Sequence, residues 1–261
     1  MSVEGMILPK VIEEARVLSH AYPISGVDIL TIEAPMIARG ALPGQFVQIT
    51  VPAGGGFLRR PLGIAEVSRD KGWIRLIYRQ VGRGTASLAA ANTRETVSVL
   101  GPLGHGFNTS FRHPLLVGGG MGLPPLLFFA AEHRRTSILM GGRTKEELFW
   151  EKIYQPYVRA CFITTDDGSY GNTGVVTTLL PELLQRGDYD SIAVCGPSVM
   201  MERVAAIAAQ HDIPCEVSLE RRMACGLGAC LSCAVNTKSG RRKICQDGPV
   251  FSAAEVYDNV S

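Results

Sequence analysis

The chain has 261 residues, more than one average domain, which leaves room for two domains and a small appendage. A hydrophobic share of 46% suits a globular protein, and 26 basic against 24 acidic side chains give no field strong enough to imply a nucleic-acid partner. Met1-Ser2-Val3-Glu4-Gly5 has an early acid, no basic cluster and no apolar core, so no secretory signal is expected and the chain is expected to stay in the cytosol.

From Gly26 to Leu100, β-rich runs are punctuated by Gly and Pro: Val27 to Ile32, Gln45 to Val51, Trp73 to Tyr78 and Thr96 to Leu100. This pattern predicts an antiparallel barrel. Gly101-Pro102-Leu103-Gly104 suits neither a helix nor a central strand and marks the first boundary, giving a domain over 1–104. The rhythm then becomes strand, turn, helix. Leu115 to Val117 leads to Leu126 to His133, Ser137 to Met140 to Lys145 to Lys152, and Ser191 to Cys195 to Val199 to Gln210. A last strand over Cys215 to Leu219 ends an α/β parallel-sheet domain over 105–219. The uncharged run from Pro114 to Ala131 is long enough for a membrane span, but its glycines and Pro124-Pro125 would break a spanning helix; a strand, a glycine turn and a buried helix are expected instead.

About forty residues remain, 220–261, too few for an apolar core of their own. Of seven cysteines, Cys161, Cys195 and Cys215 lie scattered among apolar neighbours, and four fall at Cys225-x4-Cys230-x2-Cys233 and Cys245. The first three have the plant-type ferredoxin spacing. A 2Fe-2S cluster needs two thiolates on each iron, and a tight loop supplies them only where the backbone turns sharply, as Gly226, Gly228 and Ala229 allow. The oxidised centre, at about −2, would be offset by Arg221, Arg222, Lys238, Arg241, Arg242 and Lys243. A structural zinc usually presents two C-x2-4-C knuckles, and only Cys230 and Cys233 form one, so the spacing favours the cluster.

With these residues in view, Glu220-Arg221-Arg222-Met223-Ala224-Cys225-Gly226-Leu227-Gly228-Ala229-Cys230 and Cys245-Gln246-Asp247-Gly248-Pro249-Val250-Phe251 closely resemble the electron-transfer subunits of bacterial class 1B dihydroorotate dehydrogenases. The preceding two domains resemble the ferredoxin reductase superfamily. The resemblance implies a β-barrel FAD domain (1–104), an NAD domain (105–219) and a small C-terminal 2Fe-2S domain (220–261). It implies a relay from the FMN of a separate catalytic subunit through 2Fe-2S and FAD to NAD+, in a heterotetramer with two of each subunit.

On the same resemblance, Arg60, Pro61, Leu62 and Gly63 are similar to the superfamily's Arg-Pro-x-Ser flavin motif, with Gly63 where relatives usually carry Ser or Thr. Ile77, Tyr78 and Arg79 resemble its second flavin segment, and Gly84 and Thr85 its pyrophosphate turn. Gly118, Gly119, Gly120 and Gly122 resemble the Gly-Gly-x-Gly-x-x-Pro nucleotide loop and do not form a G-x-G-x-x-G fingerprint. Cys195, Gly196 and Pro197 resemble the Cys-Gly-Pro segment beside the nicotinamide. Cys195 is thus the candidate catalytic residue, with buried filler as the competing reading. Asp166 lies in a further matching loop, and Arg143 and Lys145 stand where an NADP enzyme would bind a 2′-phosphate; as exposed charges they leave NAD the expected nucleotide. The five histidines lack ligand spacing. Two alternatives stand beside this reading: a transhydrogenase or sulfide dehydrogenase type of flavin and iron-sulfur reductase subunit, and a non-enzymatic zinc-stapled binding module.

Overall fold

Strands separated by Gly and Pro turns close on themselves in the computed structural model, which describes residues 9–52 and 56–258; the Met1 to Gly5 stretch expected to hold no secretory signal lies outside them. In chain order come β1 (Val11–Ile24), β2 (Val27–Glu33), the short helix α1 (Pro35–Gly40), β3 (Phe46–Ile49), β4 (Arg60–Ser68), β5 (Trp73–Arg79), α2 (Arg83–Ala89) and β6 (Thr96–Leu103). They form an antiparallel barrel in the order β1-β2-β5-β4-β3-β6. Alternation turns Leu30, Val47, Ile49, Ile64, Leu76 and Val99 inward to one apolar core, each contributing about 1.5–3 kcal/mol on burial. Glu13 breaks the apolar alternation of β1 for a local reason. Its buried carboxylate accepts from Met36 N at 3.0 Å and Ile37 N at 2.8 Å, capping α1, which has no side-chain cap of its own.

The second unit contains β7 (Pro114–Gly119), α3 (Leu123–Glu132), β8 (Ser137–Gly142), α4 (Trp150–Tyr154), β9 (Cys161–Thr165), β10 (Asn172–Thr173), α5 (Val176–Arg186), β11 (Ser191–Cys195), α6 (Ser198–Gln210) and β12 (Cys215–Ser218). Its strands are parallel in the order β10-β9-β8-β7-β11-β12. Chain order reverses at β7, so a crevice opens beyond the carboxyl ends of β7 and β11. The uncharged run becomes β7, a 3-10 turn at Gly120–Gly122 and most of α3; among the described residues no helix is long and apolar enough to cross a membrane. The helix expected over Lys145 to Lys152 is split into a 3-10 turn, Lys145–Leu148, and α4. Its start is tied to neighbours instead of to itself: Lys145 N donates to Ser169 Oγ at 2.9 Å, and Glu147 accepts from Arg143 N at 3.0 Å.

The C-terminal segment adds β13 (Ala234–Thr237), β14 (Gly240–Lys243), α7 (Ile244–Asp247), β15 (Val250–Ser252) and α8 (Ala253–Val256). β13 and β14 form a hairpin, and β15 joins the large sheet antiparallel to β12. The segment has no separate apolar core. Cys233, Ile244, Cys245 and Phe251 pack into one cluster with Phe46 and Leu103 of the barrel and Val217 of the sheet, which holds the cysteine loop against both other units.

Candidate functional site

A cleft of about 790 Å³ opens where the barrel meets the sheet, within the range of small-molecule sites. Arg60, Pro61, Leu62 and Gly63 of β4, and Ile77, Tyr78 and Arg79 of β5, line it together with Thr85 of α2. Arg60 to Gly63 open β4 and pair in unbroken register with Phe46 to Ile49 of β3; the register slip against β5 comes after them, between Ile64 and Glu66. Thr85 Oγ1 accepts from Val81 N at 2.9 Å and Gly82 N at 3.3 Å, fixing the start of α2. A side chain at Gly84 would meet the Arg60 guanidinium, its Cβ lying 2.5 Å from Cζ, so this glycine leaves space for that cation. The nearby Arg59 is committed elsewhere, donating to Ser98 O at 2.7 Å and Ser98 Oγ at 3.0 Å.

Tyr78 is held from behind. It pairs in register with Asp28, its hydroxyl lies 3.3 Å from His20 Nε2, and Gln80 Nε2 donates to Asp28 Oδ2 at 2.8 Å. Burial, then the nearby Asp28 charge, pushes the phenol well above its usual range, so it stays neutral. Gly63 faces Pro125 at the start of α3, with an added Cβ 3.1 Å from Pro125 Cγ. A small side chain fits after a shift of a few tenths of an ångström, and a branched one does not. Gly63→Ser is therefore expected to keep bound FAD through desalting and Gly63→Val to lose most of it, checked by flavin absorbance per chain.

A second cleft, about 720 Å³, lies at the strand-order reversal and is lined by Gly119, Gly120, Gly122, Gly196 and Pro197. Gly118 is buried at the end of β7, beneath Leu123. The two turns touch: a Cβ at Gly122 would strike the Cys195 carbonyl and lie 2.5 Å from Gly196 N. The Cys195 side chain points into the core instead of the cleft, its Sγ 3.8 Å from Ser218 O, and burial raises its thiol well above the ordinary range. Asp166 follows β9 and lines neither cleft; its N donates to Gly142 O at 3.1 Å. Arg143 is paired with Glu147, Nη2 to Oε1 2.6 Å.

The two clefts share a wall formed by Met121, Leu219, Glu220 and Arg221. Glu220 was not picked out by sequence reasoning, because it reads as the acid heading a basic run. Its place on the wall between the clefts makes it informative: the side chain stays exposed, and partial desolvation there raises its carboxyl above the ordinary carboxylate range. The sign follows. A raised folded pKa gives stability that is present in acid and lost as pH rises through that pKa. Glu220→Gln should therefore melt slightly higher than the parent at pH 8 and close to it at pH 5, the difference kept small by the side chain's solvent exposure, measured by thermal unfolding.

Past Met223, which lines the first cleft, the chain enters the cysteine loop. Gly226 (φ +70°) and Gly228 (φ +86°) make the turn in a conformation that side-chain-bearing residues rarely adopt. Cys225 Sγ accepts from Leu227 N at 3.3 Å, and Cys230 Sγ lies 3.1 Å from Ser232 Oγ. Cys233 Sγ donates to Cys245 Sγ at 3.2 Å. Hydrogen bonds from Ser232 and then from Cys225 lower the Cys230 thiol, whereas burial and then Cys233 raise that of Cys245. Cys233 and Cys245 thus touch, and Cys230 lies close enough to Cys225 to feel its hydrogen bonds. Among the described residues no three Cys, His, Asp or Glu side chains gather around a single-ion site. Four thiols at the plant-type ferredoxin spacing suit two irons. Lys243 Nζ donates to Gly228 O at 3.1 Å, bracing the loop with a positive charge.

The family model for the iron-sulfur cluster binding domain of dihydroorotate dehydrogenase B matches residues 220–257. A "Dihydroorotate dehydrogenase B (NAD(+)), electron transfer subunit" from Desulforamulus reducens is 37% identical, over 93% of this chain and 97% of its own length. One of the same name from Geobacillus thermodenitrificans is 38% identical, over 87% and 91%. Among solved structures, a chain of the NADH-dependent reduced ferredoxin-NADP oxidoreductase, described for flavin-based electron bifurcation, superposes with a TM-score of 0.84 at 29% identity, covering 94% of this chain and 90% of that one. A ferredoxin reductase of carbazole 1,9a-dioxygenase shares the fold at TM-score 0.65 and 21% identity, over 79% and 67%.

Proposed function

The chain belongs to the electron transfer subunits of NAD-dependent dihydroorotate dehydrogenase B, and on that premise we propose how its residues divide the work. Its function is to connect dihydroorotate oxidation in pyrimidine biosynthesis to NAD+, with FAD, a 2Fe-2S cluster and NAD as cofactors. When bound, the flavin supplies hydride exchange with nicotinamide and the irons supply single-electron exchange; the protein supplies placement and tuning.

Arg60 and Arg79 are the cations for the flavin phosphates, with the Gly84 and Thr85 turn offering amides at the start of α2. Pro61, Leu62 and Gly63 lay backbone along the ring edge, and Ile77 and Tyr78 form an apolar wall. Gly119, Gly120 and Gly122 take the nicotinamide nucleotide beside Gly196 and Pro197, and Gly118 supports that turn from below, against Leu123. Asp166 is assigned to the outer part of that nucleotide, and Cys195 acts by fixing the Gly196 turn from beneath. Arg143, which stands where an NADP enzyme would bind a 2′-phosphate, is paired with Glu147 instead, in keeping with NAD. Cys225, Cys230, Cys233 and Cys245 are the iron ligands.

The observation that carries this reading is the common wall of Met121, Leu219, Glu220 and Arg221, which runs on through Met223 to Cys225. One strip of chain borders all three cofactor positions. Exposed Leu227 and Leu231 flank the exposed Cys230, an apolar rim suited to docking a catalytic subunit. That partner is an FMN-containing dihydroorotate dehydrogenase, in a cytosolic assembly of two copies of each subunit. Co-expression tests the proposal: the co-purified complex should reduce NAD+ when given dihydroorotate, and an iron-replete complex that oxidises dihydroorotate only with other acceptors would contradict it.

A further inference from the structure

Gln48 is a polar side chain buried on the outer face of the barrel. On β3, Val47 and Ile49 belong to the barrel core, while Phe46 and Gln48 face the other way; Phe46 packs with Cys233 and Cys245. A Cβ at Gly226 would lie 2.8 Å from Gln48 Cγ and 3.1 Å from Gln48 Nε2, so the carboxamide abuts the turn that follows Cys225. On its other side β3 pairs with β4, with Gln48 opposite Pro61 of the flavin strand. Gln48 is wholly buried, and neither its Nε2 nor its Oε1 has a hydrogen-bond partner among the described residues. An unpaired buried polar group costs about 1–3 kcal/mol, and leucine would fill similar space without that cost. A donor left unpaired against a turn that carries metal-ligating thiols has its acceptor in what those thiols hold.

We propose that Gln48 is a positioning residue whose carboxamide N–H donates to a sulfur of the iron-sulfur group held by Cys225, Cys230, Cys233 and Cys245, joining that group to the strand that borders the flavin. The inference rests on the cluster reading above. Hydrogen bonds to cluster sulfurs stabilise the added electron and raise the reduction potential.

The test uses the co-expressed complex, with iron measured first. Gln48→Leu, carrying about two irons per chain, should show a lower cluster potential and a shifted electron paramagnetic resonance spectrum. Gln48→Met, of similar length and without a donor, should lower the potential in the same way as Gln48→Leu. In the parent complex grown with 15N-glutamine, the reduced cluster should show a 15N hyperfine coupling that is absent from Gln48→Leu; this parent measurement decides the matter even if a variant fails to fold. A parent with full iron and no such coupling, or an iron-replete Gln48→Leu with the parent potential and spectrum, overturns the role of Gln48 and leaves the cluster reading standing. A parent without iron overturns the cluster reading, and this inference with it.

Discussion

Cys230→Ala should purify as a folded, yellow flavoprotein without its iron, and dihydroorotate-dependent NAD+ reduction should fall to background. Cys230 is exposed, so its removal opens no cavity, and the apoprotein should keep its stability to within about 0.5 kcal/mol. The same change at Cys245, which is fully buried in the shared core, would mix loss of a ligand with loss of packing. Substituting a group that only orients a metal ligand costs roughly 10–100-fold, and deleting a ligand should exceed that. The clefts for flavin and nucleotide do not include Cys230. NADH oxidation by a small artificial acceptor should therefore persist near the parent rate, separating a cut between cluster and flavin from general damage. Iron and FAD content, with the two activities side by side, check the result; equal loss of both activities would place the defect in folding.

Gly122→Ala should damage the nucleotide site from its floor. The new methyl would collide with backbone, the Cys195 carbonyl and Gly196 N, and neither can swing away as a side-chain tip can. Either the β7 turn or the Gly196 turn must shift, and both line the same cleft. Overpacking of this kind costs about 1–3 kcal/mol, which for a chain this long lowers the melting temperature by roughly 2–4 °C per kcal/mol. The expected kinetic signature is a KM for NADH raised on the order of tenfold or more with FAD and iron retained. A variant with the parent KM would show that the contact between the two turns does not shape the nucleotide site.

These two positions also show what the amino-acid order reveals. The cysteine spacing was readable because thiolate ligands in a tight loop must be close in sequence, and the glycine turn after Val117 because it breaks an otherwise uncharged run. β1 escaped because Glu13, which faces inward to cap α1, interrupts its alternation. α5 escaped because Pro181 stands inside it, which a local rule reads as a break. The barrel, the parallel sheet and its last parallel strand in chain order, β12, were all legible from period and punctuation. β15, which returns from the cysteine segment to pair with β12, was not, since three residues carry too little pattern. Glu220 and Gln48 were invisible for a different reason. Gln48 is an ordinary polar residue until the cysteine segment closes over the barrel and burial sets it apart, and Glu220, which stays exposed, is set apart by its place on the wall between the two clefts.

Four thiols gathered in one loop segment beside a flavin cleft should hold a 2Fe-2S cluster, and a spectrum of the co-purified complex with metal analysis tests this most directly. About one FAD and about two irons per chain, with both the flavin and iron-sulfur bands bleaching anaerobically on addition of NADH, is the predicted result. Stoichiometric zinc in place of iron, or an iron band that NADH leaves unchanged while the flavin bleaches, would contradict it.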